Sequence, residues 1–189
     1  MKNNASLKGL LIAIAAFIVA FGIYFLFLAK RNYYVVDNPT PNTYYYKINN
    51  GSEGTIAGGQ TVHVDLDKGK NSIKVYDQTK KLLFDSAFEV NKVRGLINIA
   101  HQDYYINEQY YGYNLKKDSL LLALDKTIID GKPYFGGAKH FNKLFTDDFY
   151  YNVDEDYDKV IKNVQKVESR SKIFRKQDYL NYYKEYYKF

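Results

Sequence analysis

The stretch TVHVDLDKGKNSIKVY, residues 61–76, indicates the fold class of the chain. Residues 61–66 alternate apolar and polar side chains, and residues 73–76 do the same. A period of two is typical of a β-strand that buries one face. Residues 67–70, which lie between these runs, have the composition of a turn. The stretch therefore predicts two short strands separated by a turn.

Similar short runs flank this stretch on both sides. Residues 33–36, 43–48 and 82–90 read as further strands, and turn-forming residues separate them. Tyrosine, which is frequent in strands, occurs 21 times in the chain, and tryptophan is absent. Five or six short strands with turns at regular spacing predict a small antiparallel β-sandwich module over residues 32–92.

The segment GQTVHVDLDKGKNSIKVYD, residues 59–77, resembles the small β-sandwich modules of the PEGA and immunoglobulin-like type. In those modules a strand, a glycine-containing turn and an Ile/Val strand recur. The resemblance covers residues 32–92, about a third of the chain. It implies a module at the envelope surface and carries over no catalytic residue.

Residues 93–189 predict a mixed α/β extension packed on this module. Residues 103–106 read as a strand, and the aromatic stretch NEQYYGYN, residues 107–114, reads as a turn. Asp130 and Gly131 between apolar runs indicate a hairpin. The apolar stripe 160–167 predicts one C-terminal helix, and the sequence Ser169-Arg170-Ser171 interrupts the helical region after it. Asp178 is suited to cap a last helix.

The amino-terminal region predicts a retained membrane anchor after a short tail, residues 1–8. Residues 9–29 carry no charge. At ~1.5 Å per residue they form a helix of roughly 30 Å, the thickness of a bilayer core. No small-x-small cleavage site follows, although a long cleavable signal peptide remains the alternative. The fold class is therefore mainly β with a single transmembrane helix.

Basic residues flank this anchor on both sides. Lys2 and Lys8 precede it, and Lys30 and Arg31 follow it, so the charge bias that sets orientation is almost balanced. We expect the carboxy-terminal part to lie outside the cytoplasm, in the periplasm or at the cell surface. The spacing Ala16-x-x-x-Ala20 permits close approach of two such helices, which leaves a homodimer open.

The net charge of +6 does not predict a nucleic-acid ligand. Four of the 27 basic residues lie in the first 31 positions, which contain no acid, so the remainder holds 23 basic and 21 acidic residues. No basic block or RNA-binding aromatic motif occurs there. The absence of cysteine excludes disulfides, thiolate catalysis and cysteine-ligated zinc.

Candidate catalytic and metal-binding residues do not form a recognisable motif. The acidic cluster 154–158 begins like a calcium loop, but Lys159 and Gln165 stand where that loop needs Gly and Glu. It favours a helix start, and a looser cation site stays open. Of the three histidines, His101 beside Asp103 is the best acid–base pair for a hydrolase. We predict no catalytic residue, metal or cofactor.

Paired tyrosines are the remaining functional lead. Adjacent residues of a strand point to opposite faces, so one ring of each pair is expected outside. We predict an exposed contact patch at Tyr110, Tyr111 and Tyr113. The expected function is a non-catalytic interaction or structural component of an envelope assembly, bound to the bilayer and to other membrane proteins. The alternatives are a tyrosine-based module for a cell-wall or surface glycan, and a hydrolase with a spatially assembled His/carboxylate site.

Overall fold

The computed structural model describes residues 5–24, 32–112, 115–116, 119, 123–159 and 166–187. The chain divides into two compact units, Met1–Arg31 and Asn32–Phe189. Several residues named above lie outside the described ranges, namely Lys2, Lys30, Arg31, Tyr113, Gln165 and most of the apolar stripe, residues 160–165.

In the first unit the structure describes a helix, α1, which spans Ala5–Ile23. Apolar side chains occupy nearly every position after Lys8. Among the described residues, no helix combines the length and the apolar character needed to cross a bilayer. The predicted anchor continues to residue 29, and its last five residues lie outside the described ranges.

The second unit is mainly β. Its first seven strands, in chain order, are β1 (Tyr33–Asp37), β2 (Tyr44–Ile48), β3 (Glu53–Ile56), β4 (Thr61–Val64), β5 (Gly69–Tyr76), β6 (Leu82–Val90) and β7 (Arg94–Asn98). The described strands that follow are β8 (Tyr104–Tyr111), β9 (Thr127–Ile129), β10 (Lys132–Tyr134), β11 (Lys139–Phe141), β12 (Phe145–Thr146) and β13 (Glu168–Arg175). Helix α2, Lys176–Tyr187, follows β13 directly.

Two four-stranded sheets share the first hydrophobic core. The first sheet has the antiparallel order β3-β2-β5-β6, and the second has the order β12-β7-β1-β4, in which β1 and β7 are parallel. Side chains from both sheets meet in one buried cluster, which includes Val36, Ile73 and Ile97. Burial of these apolar faces is the main force that holds the two sheets together.

The two strands predicted at residues 61–76 belong to different sheets. Strand β4 pairs with β1 in the second sheet, whereas β5 pairs with β2 and β6 in the first. The chain therefore crosses the core between them, and Leu66 in this crossing is buried. Strands β7 and β12, which lie beyond residue 92, complete the second sheet.

A third sheet, with the order β11-β8-β13, is covered on both faces. One face packs against the second sheet through Val35, Leu96 and Ile173. The other face packs against α2 through Phe174 and Tyr179. Aromatic and aliphatic side chains thus stabilise a stack of three sheets and one helix.

Three sequence expectations for this region were wrong. Residues 107–111 are not a turn but the second half of β8, because β13 supplies a pairing partner for each of them. Ser169-Arg170-Ser171, expected as an interruption in a helical region, lies within the strand β13. Tyr104 and Tyr105, an adjacent pair, are both buried because β8 is enclosed on both sides. The packing of the whole unit decided these three features.

Two local signals agree with the structure. Asp130 and Gly131 form the tight turn between β9 and β10, and both have positive φ, 49° and 75°. This backbone conformation suits Asp and Gly better than bulkier residues. The last helix exists as predicted, but it begins at Lys176, so Asp178 lies in its first turn.

Candidate functional site

The clearest candidate site is a groove of about 430 Å³ beside the first half of β13. It lies between this strand, the end of β8 and the segment 150–159. We call it the Arg170 groove. The lining residues that matter for its chemistry are Tyr111, Tyr150, Tyr151, Asp158, Glu168 and Arg170.

Arg170 is held in a fixed orientation within this groove. Its Nε and Nη2 atoms both donate to Oε1 of Gln109, at 2.8 and 2.5 Å. Its Nη1 atom donates to the backbone oxygen of Asp158. Gln109 is buried and lies directly opposite Arg170 in the β8–β13 register. The guanidinium group is therefore positioned before any partner arrives.

Aromatic rings surround the guanidinium group. Its central carbon lies 4.9 Å from the ring centre of Tyr157, 5.5 Å from that of Tyr111 and 6.0 Å from that of Tyr151. These distances are in the range of cation–π attraction. The charge and the rings therefore stabilise one another as a single surface.

Two tyrosine hydroxyls that line the groove donate to carboxylates. Tyr111 donates to Glu168 at 2.9 Å, and Tyr151 donates to Asp158 at 2.6 Å. The hydrogen bond to Glu168 raises the pKa of Tyr111, and burial together with Asp158 raises the pKa of Tyr151. Both phenols are therefore neutral donors at physiological pH, and their rings have few orientations left to lose on binding.

The predicted contact patch is only partly reproduced by this geometry. Tyr111 lines the groove, whereas Tyr110 is half-buried beside it and donates to Glu108 at 2.8 Å. Tyr113 lies outside the described residues. The groove adds Tyr150 and Arg170, which the sequence did not associate with the patch. Antiparallel pairing of β13 with β8 brings Arg170 into the site from far along the chain.

The histidines are arranged differently from the expected acid–base pair. Asp103 contacts His140, whose Nε2 lies 2.7 Å from Oδ1, instead of His101. His101 occupies a turn with φ of 49°, and its ring packs 5.0 Å from that of Phe84. Pairing of β11 with β8 explains this exchange, because it places His140 opposite Tyr105.

The acidic cluster 154–158 is engaged with protein donors. Asp154 accepts from the hydroxyl of Tyr33 at 3.0 Å, and Glu155 accepts from Nη1 of Arg94 at 2.6 Å. Burial and Asp154 raise the pKa of Tyr33 to about 12. Within the described ranges, no group of three or more His, Cys, Asp or Glu residues is arranged to hold a metal ion.

Comparison with known proteins gives no relative from which a function could be transferred. No protein-family model, curated protein or solved structure matches this chain significantly. The resemblance of residues 32–92 to PEGA and immunoglobulin-like modules therefore depends on the strand pattern alone.

Proposed function

We propose that this protein is a non-catalytic interaction module of a cell-envelope assembly, and that the Arg170 groove is its protein-contact site. The observation that carries the proposal is the arginine side chain held in place among the rings of Tyr111, Tyr151 and Tyr157. Arginine and tyrosine are the residue types that dominate the binding energy of protein interfaces.

Preorganisation makes this groove a better binding surface than scattered tyrosines. A binding partner must otherwise immobilise each rotamer-rich side chain, which costs about 0.5–1.5 kcal/mol per side chain. Here Gln109 orients Arg170, and Glu168 orients Tyr111. Tyr150 adds a partly exposed ring at the groove wall. A partner segment therefore meets a surface that is already ordered.

The location of the module at a membrane is the second part of the proposal. The uncharged stretch 9–29 anchors the chain in a bilayer, with the unit Asn32–Phe189 in the periplasm or at the cell surface. An anchor of this kind confines the groove to a plane and raises its effective concentration towards other membrane proteins. The proposed mechanism is tethered binding.

Fractionation of cells tests this membrane location directly. The full chain is expected in the membrane fraction and, in intact cells, it is expected to be cleaved by added protease. The variant Phe17→Arg places a charge in the middle of the anchor, which is costly in a bilayer, and should shift the chain to the soluble fraction. Lys8→Arg is the matched control, since it keeps the flanking charge. A wild-type chain found in the soluble fraction would overturn the anchor.

Retention of a membrane protein on the purified full chain tests the groove. Tyr111→Ala should reduce retention of a specific partner about tenfold or more. Tyr45→Ala is the control, because Tyr45 is also half-buried but lies in the first sheet beside Lys80. Equal retention by the two variants would contradict the groove as the contact site.

The alternative ligand of the same groove is a cell-wall or surface glycan. The observation that favours it is the pairing of ring faces with the acceptor oxygens of Glu168 and Asp158, which can bind sugar hydroxyls. Calorimetry of the full chain with soluble cell-wall fragments distinguishes a glycan ligand from a protein partner. Saturable heat that disappears in Tyr111→Ala would support the glycan over a protein partner.

A further inference from the structure

The two edges of β13 are paired to different extents. One edge is bonded to β8 along the whole strand. At the other edge the segment 150–151 pairs with β13, since the nitrogen of Tyr151 donates to the backbone oxygen of Ser171 at 3.0 Å. The nitrogen of Ile173 in turn donates to the backbone oxygen of Tyr151 at 3.1 Å. The pairing with this segment therefore reaches back along β13 only as far as Ser171.

Ser169 presents its backbone to this second edge, within the Arg170 groove. In a strand, the N–H and C=O groups of one residue point to the same side, and successive residues alternate. Because Ser171 and Ile173 bond away from β8, Ser169 also directs both groups away from β8. Ser169 is exposed and lines the groove. Among the described residues, its N–H and C=O groups have no hydrogen-bond partner in the backbone.

An open strand edge of this kind is a template for a further strand. When an extended peptide adds to a sheet edge, its main chain supplies the hydrogen bonds, and the neighbouring side chains supply the specificity. The donor and the acceptor of Ser169 lie on one residue and point to one side. An extended backbone, which also carries a donor and an acceptor, satisfies both groups of Ser169 together.

The charges around this edge favour a basic partner. Three carboxylates line the groove, and they belong to Glu108, Asp158 and Glu168. Each accepts a hydrogen bond from a neutral tyrosine hydroxyl, and in the described part of the chain none of the three forms an ion pair. The basic residues of the lining are two, Lys159 and Arg170. The lining therefore has an excess of negative charge, and a basic side chain on the partner is complementary to it.

We infer that the partner binds the Arg170 groove by strand addition, as an extended protein segment whose backbone bonds to Ser169 and which carries basic side chains. This inference rests on the proposed function, because it takes the groove to be the contact site. It adds the mode of binding and the chemistry of the partner. The backbone of Ser169 holds the segment at the edge of β13, and the carboxylates of the groove bind its basic side chains.

Calorimetry of the purified full chain with two synthetic pentapeptides tests this inference. The probe is acetyl-Val-Lys-Val-Lys-Val-amide, and the control is acetyl-Val-Glu-Val-Glu-Val-amide, which keeps the valines and reverses the charge. We expect saturable binding of the lysine peptide and at least tenfold weaker binding of the glutamate peptide. No binding of the lysine peptide, or equal binding of the two peptides, would overturn the inference.

Two variants of Ser169 separate the role of its backbone from that of its side chain. Ser169→Pro removes the outward N–H group, and proline is tolerated there because this N–H is not part of the ladder with β8. Ser169→Ala keeps the N–H group and removes only the hydroxyl. The lysine peptide should bind Ser169→Pro at least tenfold more weakly than Ser169→Ala. Equal binding by the two folded variants would show that no strand is added at this edge.

Hydrogen exchange of the wild-type chain tests the same contact without a substitution. The exposed amide of Ser169 should exchange with solvent at least tenfold more slowly when the lysine peptide is saturating, because the peptide backbone then accepts a hydrogen bond from it. An unchanged exchange rate would overturn the inference, even if Ser169→Pro does not fold.

Failure of strand addition can be distinguished from failure of the groove itself. If Tyr111→Ala reduces retention of a membrane protein but the two Ser169 variants retain it equally, the groove is the contact site and the binding mode is wrong. If Tyr111→Ala retains as much as Tyr45→Ala, the proposed function fails as well.

Discussion

The guanidinium group of Arg175 binds the fully buried carboxylate of Asp37 through two hydrogen bonds, from Nε to Oδ2 at 2.9 Å and from Nη2 to Oδ1 at 2.5 Å. The two residues are 138 positions apart, on β13 and β1. Tyr104 and Thr61 also donate to Asp37, at 2.6 and 2.5 Å. This network connects the second and third sheets and holds β13, beside which the Arg170 groove lies.

Replacement of Asp37 by Asn should strongly destabilise the protein. It leaves the half-buried Arg175 without its ionic partner, and because that side chain is 23% exposed we expect the loss at the lower end of the about 3–5 kcal/mol that breaking a fully buried pair costs. The measurement is the free energy of unfolding in urea. Asp85→Asn is the matched control, because Asp85 pairs with Lys74 at 3.1 Å on the surface, where pairs contribute about 1 kcal/mol or less. Equal losses in the two variants would show that the buried network does not join the sheets.

Lys172→Met should stabilise the protein near neutral pH by about 1 kcal/mol, because an apolar side chain replaces a buried cation that contacts the ring of Phe174 and whose ion pair with Asp156 is long, at 3.7 Å. The folded state holds the pKa of Lys172 below its usual value, so at alkaline pH the unfolded state binds the extra proton. The contribution of Lys172 to the free energy of unfolding should therefore rise with pH up to about 10.5, so the advantage of the variant over the wild type at the same pH should shrink.

Lys176→Met is the control variant, for which the change of stability with pH should have the opposite sign. The hydrogen bond to Asp130 raises the pKa of Lys176, so its contribution is present at neutral pH and is lost as pH rises above about 10.5. The measurement for both variants is urea unfolding at several pH values. An advantage of Lys172→Met that does not change with pH would contradict the role assigned to burial.

Alkaline pH should unfold the protein through its tyrosines. The pKa of Tyr33 is raised to about 12, and burial raises the pKa of Tyr104 much further. The unfolded chain loses these protons near pH 10, so the folded state is stable below that value and loses stability as pH rises from about 10 towards 12.

Tyrosinate absorbance measures this directly. We expect a steep, cooperative increase that coincides with the loss of circular dichroism, whereas the urea-unfolded chain titrates gradually near pH 10. A gradual titration of the folded protein near pH 10 would mean that these rings are not buried as described.

The features that the sequence predicted are those set by neighbouring residues. Asp130 and Gly131 specify their own turn, and the alternation in residues 61–64 specifies a half-buried strand. The pairing partner of each strand, in contrast, is not set by neighbouring residues. Strands β4 and β5 are neighbours in the chain but enter different sheets, because two apolar faces must be buried against each other.

The candidate site was likewise predictable only in the features that do not depend on strand pairing. The tyrosines were visible in the sequence, and Tyr111 does line the groove. The position of Arg170 was not visible, since it depends on the pairing of β13 with β8 and on the buried Gln109. The sequence predicts that the carboxylates of residues 154–158 precede a helix, and residues 160–165 of that helix lie outside the described ranges. The sequence did not show that Asp154 and Glu155 accept hydrogen bonds from Tyr33 and Arg94.

The most direct test of the account is photo-crosslinking in intact cells from a reactive side chain at position 150, at the wall of the Arg170 groove. The account predicts one dominant crosslink to a membrane or envelope protein, which Tyr111→Ala removes and Tyr45→Ala leaves intact. A reactive side chain at position 128, which is exposed elsewhere on the same unit, should give no such product. Equal crosslinking from positions 128 and 150, or a product that survives Tyr111→Ala, would contradict the groove as the contact site.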